Sequence, residues 1–181
     1  RKTKKLSNVS KRFVRFPLQV LRLSGQTDEL AVLAPERLLR RMTVEAGGRI
    51  SVEGQLRSYN NKSGQGSRLV ITTFARTLCR GGEEDCNEIR LSGVLCKPPV
   101  LRCTPLGREI CDLMLAVNRS YGRADYIPCI AWGGLAEETS LLGVGDPLSF
   151  EGRVQSRLYH KMTPRGQEDR TAYEVSVMCL R

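Results

Sequence analysis

The chain has 181 residues, 40% of them hydrophobic, and its 29 Lys/Arg against 19 Asp/Glu give a formal net charge of +10. A single His leaves little for general acid–base chemistry, and there is no Gly-rich phosphate loop, nucleophile elbow or ligand-spaced metal cluster, so no catalytic residue, metal ligand or cofactor is expected and the chain does not read as an enzyme. No apolar run reaches the roughly 18 residues that a membrane helix needs, and the basic amino end has no apolar stretch of a secretory leader behind it, so a cytoplasmic protein with neither a membrane partner nor a small-molecule substrate is expected.

The seven cysteines are odd in number and contain no C-x-x-C pair; several lie in apolar, strand-like runs, where a reduced thiol acts as a small hydrophobe. The sequence opens on Arg1 rather than Met, as a processed or trimmed start would. Charge is uneven: residues 1–80 carry 17 Lys/Arg and 5 Asp/Glu, residues 81–181 carry 12 and 14. Phe13 and Phe16 are expected in a core. Pro35 is predicted to open a helix with Leu38, Leu39 and Met42 on one side. From Ile50 the pattern has period two: Ile50, Val52 and Leu56 face inward, while Glu53, Gln55, Arg57 and Tyr59 face out. Arg80-Gly81-Gly82-Glu83-Glu84-Asp85 is polar and Gly-containing, a linker that we place at 80–86.

Beyond it, Ile89, Leu91, Gly93 and Leu95 mark a strand. Cys111, Leu113, Leu115 and Val117 alternate with Asp112, Met114, Ala116 and Asn118, and Tyr126–Trp132 is a third strand. Leu135–Leu142 reads as a helix ended by Gly143. Leu148–Tyr159 is a half-buried strand, with Leu148, Phe150, Val154 and Leu158 inward and Glu151, Arg153, Gln155, Arg157 and Tyr159 outward. Tyr173, Val175, Val177 and Cys179 give the last strand.

The two halves are copies. Arg22-x-x-Gly25-x-x-Asp28 returns as Arg119-x-x-Gly122-x-x-Asp125, and Gly47-x-x-Ile50-Ser51-Val52-Glu53-Gly54-x-Leu56-x-Ser58 returns as Gly145-x-x-Leu148-Ser149-Phe150-Glu151-Gly152-x-Val154-x-Ser156. A period near a hundred residues implies two small domains rather than a solenoid, here 1–79 and 87–181. Five strands with one short helix after the third match an oligonucleotide/oligosaccharide-binding (OB) barrel. The fold expected is therefore all-β: two tandem five-stranded OB barrels, each with one helix between strands 3 and 4. The counterpart of Asn87–Leu95 would fall before Arg1, so the first barrel lacks or has lost its opening strand, and residues 1–15 correspond to the loop after it.

A basic surplus suggests a polyanionic partner. Tyr126 and Trp132 are six apart in one strand and so share a face, opposite in parity to Cys129 and Ala131. A Trp in a strand is more often core than platform, but that parity favours the outside. Tyr121 sits in a Gly-containing loop between Arg119 and Arg123, and Tyr159 ends the outward row Arg153, Gln155, Arg157. Tyr173 has core parity. In the first copy Ser24, Glu29 and Pro35 stand where Tyr121, Tyr126 and Trp132 stand in the second, leaving Gln55, Arg57 and Tyr59 on the outward face. We infer a division of labour in which the first copy contributes charge and the second contributes stacking.

Asn87-Glu-Ile-Arg-Leu-Ser-Gly93, Thr104-Pro-Leu-Gly107, Leu115-Ala-Val-Asn118, Ala131-Trp-Gly-Gly-Leu-Ala-Glu137 and Glu151-Gly-Arg-Val-Gln-Ser-Arg157 closely resemble the bacterial single-stranded DNA-binding protein family, over the whole second copy and in order. The first copy resembles it through the repeat and Glu53-Gly-Gln-Leu-Arg-Ser58. The resemblance implies a tandem form of that family that binds single-stranded DNA without strong sequence preference in replication, recombination or repair. It implies stacking of bases on Tyr121, Tyr126, Trp132 and Tyr159, and a bacterial, nucleoid-associated setting. Because four OB folds act together in the family, it also implies a homodimer of two-OB chains. The family's acidic carboxyl-terminal tail is not among these residues, so recruitment of partners through it has no support here. The alternatives are an RNA-binding OB protein and a replisome or primosome interaction module with little strand binding; stacking platforms alone do not separate ribose from deoxyribose.

Overall fold

The computed structural model describes residues 12–63 and 68–181. The period-two stretches become strands in two sheets, and helix is confined to short pieces. The first sheet holds β1 (Phe13–Leu21), β2 (Thr27–Pro35), β3 (Ile50–Asn60) and β4 (Leu69–Arg80) in the order β1-β2-β4-β3. The second holds β5 (Ile89–Leu95), β6 (Val100–Cys103), β7 (Glu109–Asn118), β8 (Ala124–Trp132), β9 (Pro147–Thr163) and β10 (Gly166–Leu180), in the order β5-β9-β10-β8-β7-β6. A helical turn α1 (Glu36–Leu39) lies between β2 and β3, and α2 (Gly134–Ser140) lies at the matching place between β8 and β9.

The sheets share a plan but differ in completeness. β5 pairs with β9 along one edge and with β7 through Val94 and Leu95, so the hydrogen bonds run in a ring from β5 through β9, β10, β8 and β7 back to β5. β1 to β4 repeat β7 to β10, including the one parallel pair in each sheet, β2 with β4 and β8 with β10. Among the described residues, no strand of the first sheet corresponds to β5. The segment between the sheets bridges one end of the gap: the Leu21 N–H and the Arg49 guanidinium both donate to Asp85, at 2.8 and 2.6 Å, and Arg49 also donates to the Gly82 carbonyl at 2.7 Å. Those hydrogen bonds, from Leu21 first and then Arg49, hold the Asp85 carboxyl below its ordinary range. Beside it a cavity of about 510 Å³ is lined by Leu18, Val20, Leu30, Val32, Val52 and Leu56, the inward residues of the incomplete sheet.

Burial follows the same division. Inside the ring, Leu95, Cys111, Leu115, Ile127, Cys129, Phe150 and Val175 are almost wholly shielded. Burial pushes the Cys129 thiol far above its ordinary value. The small cluster of the first sheet rests on Val32, Ala34 and Ala75, while Val20 and Leu30 join the larger core instead.

Several sequence expectations need correction. Phe13 is 43% exposed, its ring 5.6 Å from that of Phe74, because β1 is an edge. Leu158 is 65% exposed because the β9–β10 hairpin runs on past the ring. Cys179 is exposed because a bulge between Val177 and Cys179 breaks the alternation. β4 continues through Arg80, the expected first residue of the linker. Val100–Cys103 adds a sixth strand, which was not expected. β1 begins at Phe13, where a loop through residue 15 was expected; residues 1–11 of that loop lie outside the described residues.

The repeat has two structural meanings. Its Glu-Gly pair brings backbones together: a Cβ on Gly54 would lie 2.0 Å from the Phe74 carbonyl oxygen, and one on Gly152 would lie 2.0 Å from that of Ser176. Only glycine allows this approach. Its Arg, Asp and Ser join the two sheets reciprocally. Arg22 grips the buried Asp28 with Nε at 2.6 Å and Nη2 at 2.5 Å. Asp28 Oδ1 then accepts the Ser156 N–H at 2.9 Å, and the Glu29 N–H donates to Ser156 Oγ at 3.2 Å. In the mirror half, Arg119 Nε lies 2.9 Å from Asp125, Asp125 Oδ1 accepts the Ser58 N–H at 2.9 Å, and the Tyr126 N–H donates to Ser58 Oγ at 2.8 Å. Burial alone would raise the Asp28 carboxyl, but the hydrogen bonds from Arg22 and the Ser156 N–H prevail and hold it low. The two sheets are thus clasped about an approximate two-fold axis.

Candidate nucleic-acid interface

β8 alternates in direction, although Ile130 of its outer row is itself buried. Ile127, Cys129 and Ala131 fill the ring, and Tyr126, Pro128, Ile130 and Trp132 form its outer row. Six residues of extended chain separate Tyr126 from Trp132, a span of about 20 Å. Tyr126 is 48% exposed at the end nearest the first sheet. Trp132 is half-buried, and the Arg108 guanidinium lies 5.3 Å from its ring centroid, within cation–π range. Beyond Trp132 the surface turns acidic: Glu109, hydrogen-bonded to Glu137, is raised above its ordinary value.

Tyr121 is 100% exposed, with φ of 67° and ψ of 32° inside the turn Ser120–Gly122. A left-handed conformation at a non-glycine residue costs roughly 1–2 kcal/mol, and no packing of the ring offsets it. Strain of this kind accumulates where a side chain must be presented. Arg123 beside it is exposed. Arg119, expected to reach a ligand, is instead paired with Asp125, and its side chain is 27% exposed.

On β9 the expected outward row divides. Arg153 is half-buried and Arg157 exposed, with Arg157 lying 3.5 Å from Glu174 and 6.0 Å from the half-buried Tyr159 ring. Gln155 lies beneath them: it is 6% exposed and donates to Glu174 Oε1 at 3.0 Å. In the first sheet, Arg57 lies 4.1 Å over the Phe74 ring, and Tyr59, 50% exposed, accepts from Arg15 at 3.4 Å. Ser58 joins the two regions, because its hydroxyl holds the Tyr126 N–H. Tyr126, Trp132, Arg153 and Arg157 therefore share the outside of the second sheet, and Arg57 and Tyr59 flank the residue that meets its near end.

Two cations were missed by sequence reasoning. Arg108 comes over Trp132 because Ile110 is paired with Trp132 across β7–β8, and only that register could have revealed it. Arg76 lies on β4 one residue beyond Ala75, the bulge partner of Gly54, and with Arg57, Asn118, Arg119, Tyr121 and Arg123 it lines a groove of about 570 Å³ between the two sheets.

Exposed rings beside guanidinium groups on the outside of an all-β ring make a surface for a flat, polyanionic ligand. Among the described residues no cluster of His, Cys, Asp or Glu could hold a metal, and no helix is long and apolar enough to cross a membrane. The model of the Single-strand binding protein family matches residues 86–180, and the chain belongs to that family. It is 39% identical to Single-stranded DNA-binding protein B of Bacillus subtilis over 80 residues, which are 40% of this chain and 71% of that protein. It is 34% identical over 99 residues to the single-stranded DNA-binding protein of Bacillus cereus, covering 51% of this chain and 55% of that one, so the chain spans about half of that relative's length. The crystal structure of the wild-type single-stranded DNA binding protein from Thermus aquaticus superposes with a TM-score of 0.70 at 27% identity, over 93% of this chain and 79% of that one. That coverage takes in the first sheet, which has kept the fold while leaving the reach of the family model.

Proposed function

We propose that this chain binds single-stranded DNA without strong sequence preference, as two OB modules of unequal kind. The second module, 87–181, is a closed barrel; the first, 1–79, follows the same plan with no counterpart of β5 among its described residues, and 80–86 connects them. The observation that carries the reading is the outer row of β8, in which Tyr126 is exposed and Trp132 half-exposed under Arg108, on the face that also carries Arg153 and Arg157. Bases stacked on such rings gain about 1–3 kcal/mol each whatever their sequence, and the guanidinium groups track the phosphates. Tyr121 and Tyr159 extend the stacking surface, and Arg57 and Tyr59 continue it onto the first module. Arg119 and Gln155 act as supports, since Asp125 and Glu174 already engage them.

Two such chains pair to bring four OB modules together. The support for pairing is β5, whose residues Ile89–Gly93 have β9 on one side and no described strand on the other. Strand protection in replication, recombination or repair is the role this chemistry serves. A titration with oligo-dT followed by Trp132 fluorescence tests the reading. Saturable quenching that weakens with salt and is not competed by duplex DNA is expected; unchanged fluorescence together with no mobility shift refutes it. Equal affinity for oligo-U would extend the ligand to RNA.

A further inference from the structure

The clasp between the two sheets is nearly symmetric, so it creates two grooves, and these differ in charge. In one, Arg57 and Arg76 of the first sheet face Arg119, Tyr121 and Arg123 of the second. Arg57, Arg76 and Arg123 make no ion pair among the described residues, and Asp125 is ion-paired with Arg119. Burial, and next the neighbouring Arg119, push Arg57 below its ordinary value, with Arg76 adding to this and Asp125 opposing it. The repeat supplies the contents of the mirror groove: Gln155 replaces Arg57, Arg22 replaces Arg119, Ser24 replaces Tyr121 and Gln26 replaces Arg123. The shared bulge sets Met178 in place of Arg76. Opposite Gln155 stands the buried Glu174, where Thr72 stands opposite Arg57. The mirror side gains one cation, Arg153 in the place of Gln55, but holds both Asp28 and Glu174.

We propose that the groove between Arg57 and Tyr121 is a phosphate-binding channel through which a single strand of nucleic acid passes from the aromatic face of the second module to the first, while the mirror groove stays empty. Crowded guanidinium groups without carboxylate partners are unfavourable until an anion arrives. Here three of them converge beside a ring held in a strained, fully exposed conformation at the end of the Tyr126 row. Phosphates would lie against Arg57, Arg76 and Arg123, with one base stacked on Tyr121. The proposal rests on the single-strand reading above and adds the path that the strand takes.

The test compares the intact protein with Arg57→Ala/Arg76→Ala on dT35, with Gln26→Ala/Met178→Ala, the counterparts of Arg123 and Arg76, as the control on the mirror side. Removing the two arginines should weaken binding at least tenfold and flatten the salt slope by about 1.4, from about 0.7 per phosphate on a single strand. The mirror variant should bind like the parent. Arg57→Lys/Arg76→Lys should recover most of the slope, which separates lost charge from lost folding. Tyr121→Ala, in which a wholly exposed ring is removed, should weaken binding at least fivefold, the lower bound for one stacked base. Full affinity and an unaltered slope in Arg57→Ala/Arg76→Ala would overturn the channel while leaving single-strand binding intact. Absence of binding by the parent protein would overturn both.

Discussion

The two sheets are built from one repeated sequence, yet among the described residues only the second closes into a ring. In the second, β5 closes the ring, and Leu115, Ile127 and Phe150 vanish from solvent. In the first, no described strand takes the place of β5, Asp85 and Gly82 bridge one end, Val20 and Leu30 turn to their neighbour's core, and Phe13 is 43% exposed. The half that keeps its own core also keeps the aromatic row. The half that borrows a core has given up those rings and kept its arginines. A closed ring of strands can carry large rings on one face because its interior is already filled, whereas the described strands of the first sheet lean on the clasp with the second.

The largest effect should come from truncating the closed core. Leu115→Ala should cost about 3–4 kcal/mol in chemical denaturation, and Leu18→Ala, half-buried on the open sheet, about 1 kcal/mol. Equal losses would mean that the two sheets are equally well packed.

The clasp comes next. Asp28→Asn should cost about 2–3 kcal/mol and Asp125→Asn about 1–2 kcal/mol, because Arg22 grips its carboxylate with two short bonds and Arg119 with one. The pH dependence has a defined sign. The folded Asp28 carboxyl titrates below its unfolded value. Its contribution is therefore complete above the ordinary carboxylate range and is lost as pH falls through the lower, folded value. Acid denaturation of Asp28→Asn should lack that limb, and an unchanged acid limb would remove Asp28 from the clasp.

On the binding side, Trp132→Ala should weaken oligo-dT by about 1–3 kcal/mol with its melting temperature kept, and Tyr59→Ala by about 1 kcal/mol or less. A large fall in melting temperature with unchanged affinity would return Trp132 to the core. The smallest effect expected is in the salt slope of Arg153→Ala/Arg157→Ala: a flattening of up to about 1.4 if both contact phosphate, and about half that if the half-buried Arg153 serves the fold.

Strand order and the outward parity of Tyr126 and Trp132 were legible because period two survives wherever one face is buried. Leu158 misled because apolar alternation continues into a hairpin that has left the ring, and Cys179 because a bulge shifts the pattern by one residue. β6 is four exposed residues, too short and too wet to carry a periodic signal. The roles of Asp28, Asp125, Ser58 and Ser156 were written in the repeat, since polar residues kept in both copies where the aromatics were not mark a shared structural need. The ion pair of Arg119 with Asp125 is not legible from spacing alone, because the carboxylate lies six residues away across a turn and the loop makes the pairing. Gln155 has outward parity yet is covered, because Glu174 on the neighbouring strand draws it down.

Amide hydrogen exchange on the free protein and on its oligo-dT complex tests most directly the claim that two unequal modules share one strand. Free, β1 and β3 should exchange much faster than β7 and β9. Bound, residues 55–59, 118–132 and 157–159 should slow while 21–26 stays as it was. Protection of 21–26 equal to that of 118–123, or no change anywhere in 118–132, would contradict the account.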